Sequence, residues 1–168
     1  MRIERKWAMP NKWTFTIKPI RELLNEEIKG GIYVDPFAGM NSPAQITNDL
    51  NPTTKAMYHL DALSFLTTLQ TDSADGVLFD PPYSITQAAV CYQNYGKDKL
   101  KVNVANMGYW AACKNEVARI VKNTGKVISF GWSTNAIGLK RGFTMTRILI
   151  VAHGGSKNDT LVTVETKN

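Results

Sequence analysis

Short apolar runs that stop at an aspartate limit what this chain can fold into more than any other feature. In "IYVDPFAGM" the run Ile32 to Val34 stops at Asp35, and in "DGVLFDPPYS" the run Val77 to Phe79 stops at Asp80. "AQITNDLNP" carries a strand to about Thr47, with Asp49 just beyond it. "AMYHLDALSFLTTL" reads as a short strand followed by a helix that opens near Asp61. Continuous apolar runs of this length suit strands buried on both faces. If the strands are parallel, all four acids line one edge of the sheet, and the carboxyl edge of an open α/β sheet is where ligands bind.

The segments between and after these runs fit that reading. Residues 17 to 31 place Ile20, Leu23, Leu24 and Ile28 on one helical face, with Pro19 in the first turn and glycines as a stop. Residues 106 to 122 read as the longest helix, and "KVISFGW" after them as a fifth strand. The tail holds two β-rich runs, "FTMTRILIVAHGG" and "DTLVTVETK", around a Gly-Gly turn, and these are expected to form an antiparallel hairpin. The expected class is therefore α/β, a mostly parallel sheet with an antiparallel end. The connections after the first and fifth strands are too short for full helices. At 168 residues, with no internal repeat or linker-like stretch, the chain reads as one domain.

Composition excludes several classes. A hydrophobic content of 43% and a charged content of 20% are those of a globular protein. No apolar run approaches the roughly 18 residues that a membrane span needs, and "MRIERKW" has no apolar stretch behind it to make a secretory signal. A cytoplasmic location is expected. Cys91 and Cys113 lack CxxC spacing and a histidine cluster, so reduced thiols and no metal site are expected. The net charge of +6 suits a polyanionic partner. Its distribution says more: basic residues gather near Trp7 and Trp13, near Tyr92 and Tyr95, and near Trp132 and Phe143. Cations interleaved with stacking rings suit nucleic acid, and equally a solvated surface over core aromatics.

A single acid at a strand end is commonly a helix cap, and Asp61 before "ALSFL" can be that alone. Four on one rim, with no basic residue among them, suit a ligand with hydroxyls, amines or positive charge. Asp49 is placed to hold ribose hydroxyls, one short step after a glycine-containing loop. That loop, "DPFAGM", is neither GxGxxG nor a P-loop, which favours a nucleoside without phosphates over NAD or ATP. S-adenosylmethionine (SAM) fits. At the other loop, Asp80-Pro81-Pro82 can be a plain strand terminator. It can also be a stiff elbow that fixes Asp80 and Tyr83, because two prolines set two φ angles and remove two donors.

"DPFAG", "NDLNP", "DALSFL" and "DPPYS", in that order, resemble the SAM-dependent methyltransferases that modify adenine N6 in nucleic acids. The likeness runs on through "ISFGW" and "VAHGGSKNDTLVTVE" and is greatest to small phage and prophage adenine-specific DNA methyltransferases. The resemblance implies a Rossmann-like class I methyltransferase fold in a bacterial host cytoplasm. It implies that Asp35, Pro36, Phe37, Ala38 and Gly39 wrap the methionine part of SAM. Asp49, with Leu50, would take the ribose, and Asp61, with Ala62, the adenine amine of the cofactor. Thr16 and Lys18 in "FTIKPI" match the element that touches the amino-acid end. Asp80, Pro81, Pro82 and Tyr83 would form the catalytic elbow, with Asp80 also near the cofactor and Tyr83 stacked on the target base.

The separate target-recognition domain of many relatives is missing, which implies low sequence specificity. The insert from 84 to 105 is the candidate substitute, with Lys97, Lys99 and Lys101 on substrate phosphates. DNA is the expected partner ahead of RNA, and the oligomeric state, a homodimer included, is open. Three rivals stay open: an RNA adenine methyltransferase, a cytosine-N4 methyltransferase (where Ser more usually replaces Asp80), and a binding module without catalysis.

Overall fold

The computed structural model describes residues 1–95, 107–134 and 136–168. Among them one sheet is built from β1 (Arg2–Trp7), β2 (Tyr33–Asp35), β3 (Ile46–Thr47), β4 (Ala74–Phe79), β5 (Val121–Gly131), β6 (Phe143–Ala152) and β7 (Thr160–Lys167). The strand order is β1-β6-β7-β5-β4-β2-β3. Every neighbouring pair is parallel except those of β7, which runs antiparallel to both β5 and β6. The helices are α1 (Lys18–Glu27), α2 (Ala62–Thr68), α3 (Ile85–Tyr95) and α4 (Met107–Ile120). None of them is long and apolar enough to cross a membrane.

The apolar runs are continuous because the sheet is covered on both faces. Ile20, Leu23 and Leu24 of α1 pack on Leu78, Ile128 and Phe130. Phe65 and Leu66 of α2, with Cys113, Val117 and Ile120 of α4, pack on Val77, Phe79 and Val127 from the other side. Successive strand residues thus enter different cores, as a period of two requires. At one end Arg147 of β6 is buried and reaches Glu4 of β1 at 2.7 Å, Glu26 at 2.7 Å and Glu27 at 3.1 Å.

Several elements differ from the sequence expectation. The basic amino terminus is a strand, β1, which pairs with β6 from Arg2↔Arg147 to Trp7↔Ala152. It is an edge strand whose residues are exposed or half-buried, so it has no apolar pattern to read. The "AMYHL" strand reduces to one bridge, Asn48↔Tyr58, because Met57, Tyr58, His59 and Leu60 lie exposed beyond β3. Helix α1 ends at Glu27, before the expected stop. Strand β5 begins at Val121, where the long helix was expected to continue. The hairpin forms, but β7 sits between β5 and β6 and not at the end of the sheet. The insert opens with helix α3, and Lys97, Lys99 and Lys101 lie outside the described residues.

Chain order reverses at β2, which has β3 on one side and β4 on the other. Such a switch point leaves a crevice outside the carboxyl ends of the two diverging strands. Asp35 ends β2 and Asp80 follows β4, so these two acids flank it.

Candidate active site

A cavity of about 760 Å³ opens at that crevice. Its walls come from the loops after β2 (Pro36, Phe37, Gly39), after β3 (Asp49, Leu50, Asn51) and after β4 (Asp80 to Tyr83). Leu60 and Ala62 on either side of Asp61, the first residues of α3, the segment 10–14, Trp132 and the β6–β7 turn complete it. The size is that of a small-molecule or cofactor site.

The loop after β2 is held from behind. Asp35 is fully buried and turned onto its own loop, where it accepts the Phe37 N–H at 2.9 Å and the Ser42 hydroxyl at 2.6 Å. Desolvation by burial pushes its carboxyl up to about 8, against the pull of those two hydrogen bonds. Gly39 adopts a left-handed φ of 56°, which suits glycine, and its N–H donates to Asp49 Oδ2 at 2.7 Å. Asp49 Oδ1 accepts the Asn51 N–H at 2.8 Å. Each carboxylate oxygen has a second lone pair, so Asp49 remains an acceptor on the cavity wall.

Asn48 ties the loops together. Its buried amide donates to the carbonyls of Pro36 at 3.1 Å and Leu60 at 2.9 Å, and its Oδ1 accepts the Leu60 N–H at 2.9 Å. Sequence reasoning passed over it, since nothing about an Asn beside an Asp marks it as buried. Asp61 is the N-cap of α2: its Oδ1 accepts the Ser64 N–H at 3.1 Å and the Tyr109 hydroxyl at 3.3 Å. Asp35, Ala38 and Asp61 therefore lie behind the wall, while Leu50 and Ala62 lie on it.

At the elbow after β4, the Tyr83 hydroxyl donates to Asp80 Oδ1 at 2.6 Å. The Thr14 side chain lies beside both Asp80 and Tyr83. Desolvation raises the Asp80 carboxyl to about 6, while the Tyr83 hydrogen bond and the Thr14 side chain restrain the rise. Burial and the Asp80 charge push the Tyr83 phenol above its ordinary range. The Tyr83 ring stands edge-on to Trp132, with centroids 5.8 Å apart, and the Tyr83 N–H donates to Gln87 Oε1 at 2.8 Å. The proline pair thus presents a carboxylate already gripped by the Tyr83 hydroxyl.

Thr16 and Lys18 are not on the wall. The Thr16 hydroxyl donates to the Trp13 carbonyl at 2.8 Å and closes the turn Thr14–Thr16, and Lys18 is exposed at the start of α1. The neighbours Trp13 and Thr14 line the cavity in their place. Trp132 and His153 were also missed as site residues. His153 Nδ1 lies 2.8 Å from the Ala8 carbonyl, which can only accept, so that nitrogen carries the proton. Nε2, 2.9 Å from Thr160 Oγ1, then accepts. Among the described residues no group of His, Cys, Asp and Glu could hold a metal ion.

No protein-family model and no curated protein sequence matches the chain. Solved structures do. TrmN from Thermus thermophilus superposes with a TM-score of 0.58 at 16% identity, over 90% of this chain and 49% of that one, so this chain spans about half its length. The 1,6-didemethyltoxoflavin-N1-methyltransferase of Burkholderia thailandensis, crystallised with S-adenosylhomocysteine, gives 0.59 at 9% identity over 88% and 76% of the two chains. The N-methyltransferase NodS of Bradyrhizobium japonicum gives 0.55 at 9% identity over 89% and 94%. Together with the strand order, these likenesses define the fold: it is the Rossmann-like fold of class I methyltransferases.

Proposed function

We propose that this chain is a SAM-dependent methyltransferase acting on the exocyclic N6 amine of adenine in DNA. The observation that carries the reading is the Asp80 carboxylate, fixed by Tyr83 at 2.6 Å on a double-proline elbow in the cavity wall at the switch point. The resemblance of "DPFAG" and "DPPYS" to adenine methyltransferases supports adenine. The fold supports methyl transfer, and the similar 1,6-didemethyltoxoflavin-N1-methyltransferase was crystallised with S-adenosylhomocysteine.

The wall fits SAM in its donor set. Asp49 offers carboxylate acceptors for ribose hydroxyls, and Phe37, Leu50, Leu60 and Ala62 offer apolar surface for a purine. Pro36 and Gly39 bound the methionine end, with Asp35, Ala38 and Asp61 supporting them from behind. When bound, SAM supplies an electrophilic methyl group on a sulfonium.

The protein must make a poor nucleophile competent. The adenine amine lone pair is delocalised into the ring, and acceptors on both N–H bonds localise it. Asp80 accepts one N–H and the Pro81 carbonyl the other. The prolines hold both acceptors without reorganisation, which is where preorganised electrostatics contributes most. Positive charge developing on the amine is stabilised by Asp80, whose carboxyl near 6 also suits it to take the departing proton. The Tyr83 ring offers a face to a base extruded from the stack.

The test is nucleoside analysis after incubation of the purified protein with SAM and a mixture of DNA and RNA. N6-methyldeoxyadenosine is the expected product. Asp80→Ala should abolish it while the calorimetric Kd for SAM stays within about threefold, under 1 kcal/mol. Methylated cytosine, methylated RNA, or no product would each overturn the reading.

A further inference from the structure

We propose that the cavity rim between residues 9–13 and 154–158 is the track for a single DNA strand, with Lys12 and Lys157 on its phosphates and Trp13 and Trp132 on its bases. The inference rests on the reading above, that the target is a DNA base.

Three observations converge on this rim. Trp13 and Trp132 stay 37% and 42% exposed, although both belong to the cavity wall. Isolated exposed apolar residues are ordinary, but these two indoles stand at one opening, and Trp132 is backed edge-on by Tyr83. They come from distant parts of the chain, ahead of α1 and after β5, so no local pattern explains their meeting.

The cations at the rim are uncommitted. Lys6, Lys122, Lys126 and Lys167 each have a carboxylate within 4 Å. Among the described residues Lys12 and Lys157 have none, and Lys12 Nζ lies 4.8 Å over the Trp13 ring. An unpaired ammonium beside an exposed indole suits a phosphate backbone and a stacked base.

Charge is sorted by exposure. The acids Asp49 and Asp80 are half-buried after the strand ends, while Lys12 and Lys157, on other loops of the same wall, are exposed. A phosphate backbone is repelled from the first and drawn to the second, which leaves a neutral base bearing an amine to enter. Two exposed indoles need open π-faces, and a duplex hides its own. The occupant is therefore a single strand.

The experiment is binding of a fluorescent 12-nucleotide DNA strand across a salt series, with circular dichroism and thermal melting of each variant as the check of folding. Two phosphates lost in Lys12→Ala/Lys157→Ala should flatten the log-log salt slope by about 1.4. Trp13→Ala and Trp132→Ala should each weaken binding by roughly 5- to 150-fold, and Trp13→Phe by far less. If the wild type binds the strand and none of these changes matters, the track is wrong while the proposed activity stands. If it binds SAM but no nucleic acid, both fall. Tighter binding of the matching RNA, or of the duplex, would overturn the commitment to a DNA strand.

Discussion

The Tyr83 hydroxyl donates to Asp80 Oδ1 at 2.6 Å, three residues along the same elbow. A contact this short between a phenol and a carboxylate is charge-assisted and stabilises the ionised form of the acid. In the proposed function Tyr83 has two jobs where the sequence suggested one: its ring for stacking, and its hydroxyl for keeping Asp80 an acceptor.

Tyr83→Phe should separate those jobs. Its ring remains, but the carboxylate loses a hydrogen bond to a charged group worth about 1.5–3 kcal/mol. Asp80 then titrates higher than its wild-type value of about 6, so the acid limb expected in kcat/KM for the proposed activity should move up by about 1–2 pH units. Activity at pH 8.5 should largely survive. Tyr83→Ala should be impaired at every pH, since the ring is gone too. An unmoved acid limb in the phenylalanine variant would refute the hydroxyl's role.

Asp49 bridges two loops, taking the Gly39 N–H on one oxygen and the Asn51 N–H on the other. Asp49→Ala should weaken SAM roughly 5- to 150-fold, through lost ribose acceptors and a loosened Gly39, at about 1–3 kcal/mol for the unmade bonds. Asp49→Asn, which keeps one acceptor, should fall between. Calorimetry with an unchanged Kd for Asp49→Ala would remove the residue from the cofactor site.

The parts legible in sequence were those where one residue type implies one physical role. Apolar runs doubly covered by helices, such as Val77 to Phe79, announce central strands, and a proline pair after an acid announces a rigid elbow. Edge strand β1 was illegible because pairing there is carried by the backbone while its side chains stay in water. Asp61 and Asp80 look alike in sequence, yet one caps a helix and the other meets the cavity. Only tertiary neighbours separate them: Tyr109 covers the first, whereas Thr14 and Tyr83 hold the second. Thr14, Trp13 and Trp132 reach the site by long-range packing, which no spacing in the chain encodes.

Arg147 joins β6 to β1 and to the last turn of α1 through Glu4, Glu26 and Glu27. Removing this buried member of the network leaves Glu4, Glu26 and Glu27 with only their more exposed partners, Arg2 and Lys126. Arg147→Ala should destabilise the fold by about 3–5 kcal/mol, or roughly 6–20 °C in Tm for a chain of this size. The freed carboxylates repel one another, so the loss should shrink as pH falls and they protonate. Calorimetric melting at pH 7 and pH 4 reads both effects, and a loss under about 1 kcal/mol at pH 7 would show the network to be unimportant.

Asp35 offers the sharpest test of the electrostatics beneath the cavity. Its side chain is fully buried, and burial pushes the carboxyl from 3.8 up to about 8. A folded-state pKa above the unfolded one means that the native state holds the proton longer. The stability this group confers is full below about pH 4 and is lost as pH rises through about 8. Asp35→Asn carries no such titration. Its carbonyl can still accept the Phe37 N–H and its amide can donate to Ser42, so the loop should keep its shape. Urea unfolding of both proteins from pH 5 to pH 8 should show the wild type losing stability relative to the variant. The slope should be at most about 1.4 kcal/mol per pH unit. Asp80 titrates within this range and its charge helps to raise Asp35, so both proteins are compared in an Asp80→Asn background. Two stability curves that run parallel over this window would mean that Asp35 is already ionised in the fold, held as a carboxylate by Phe37 and Ser42.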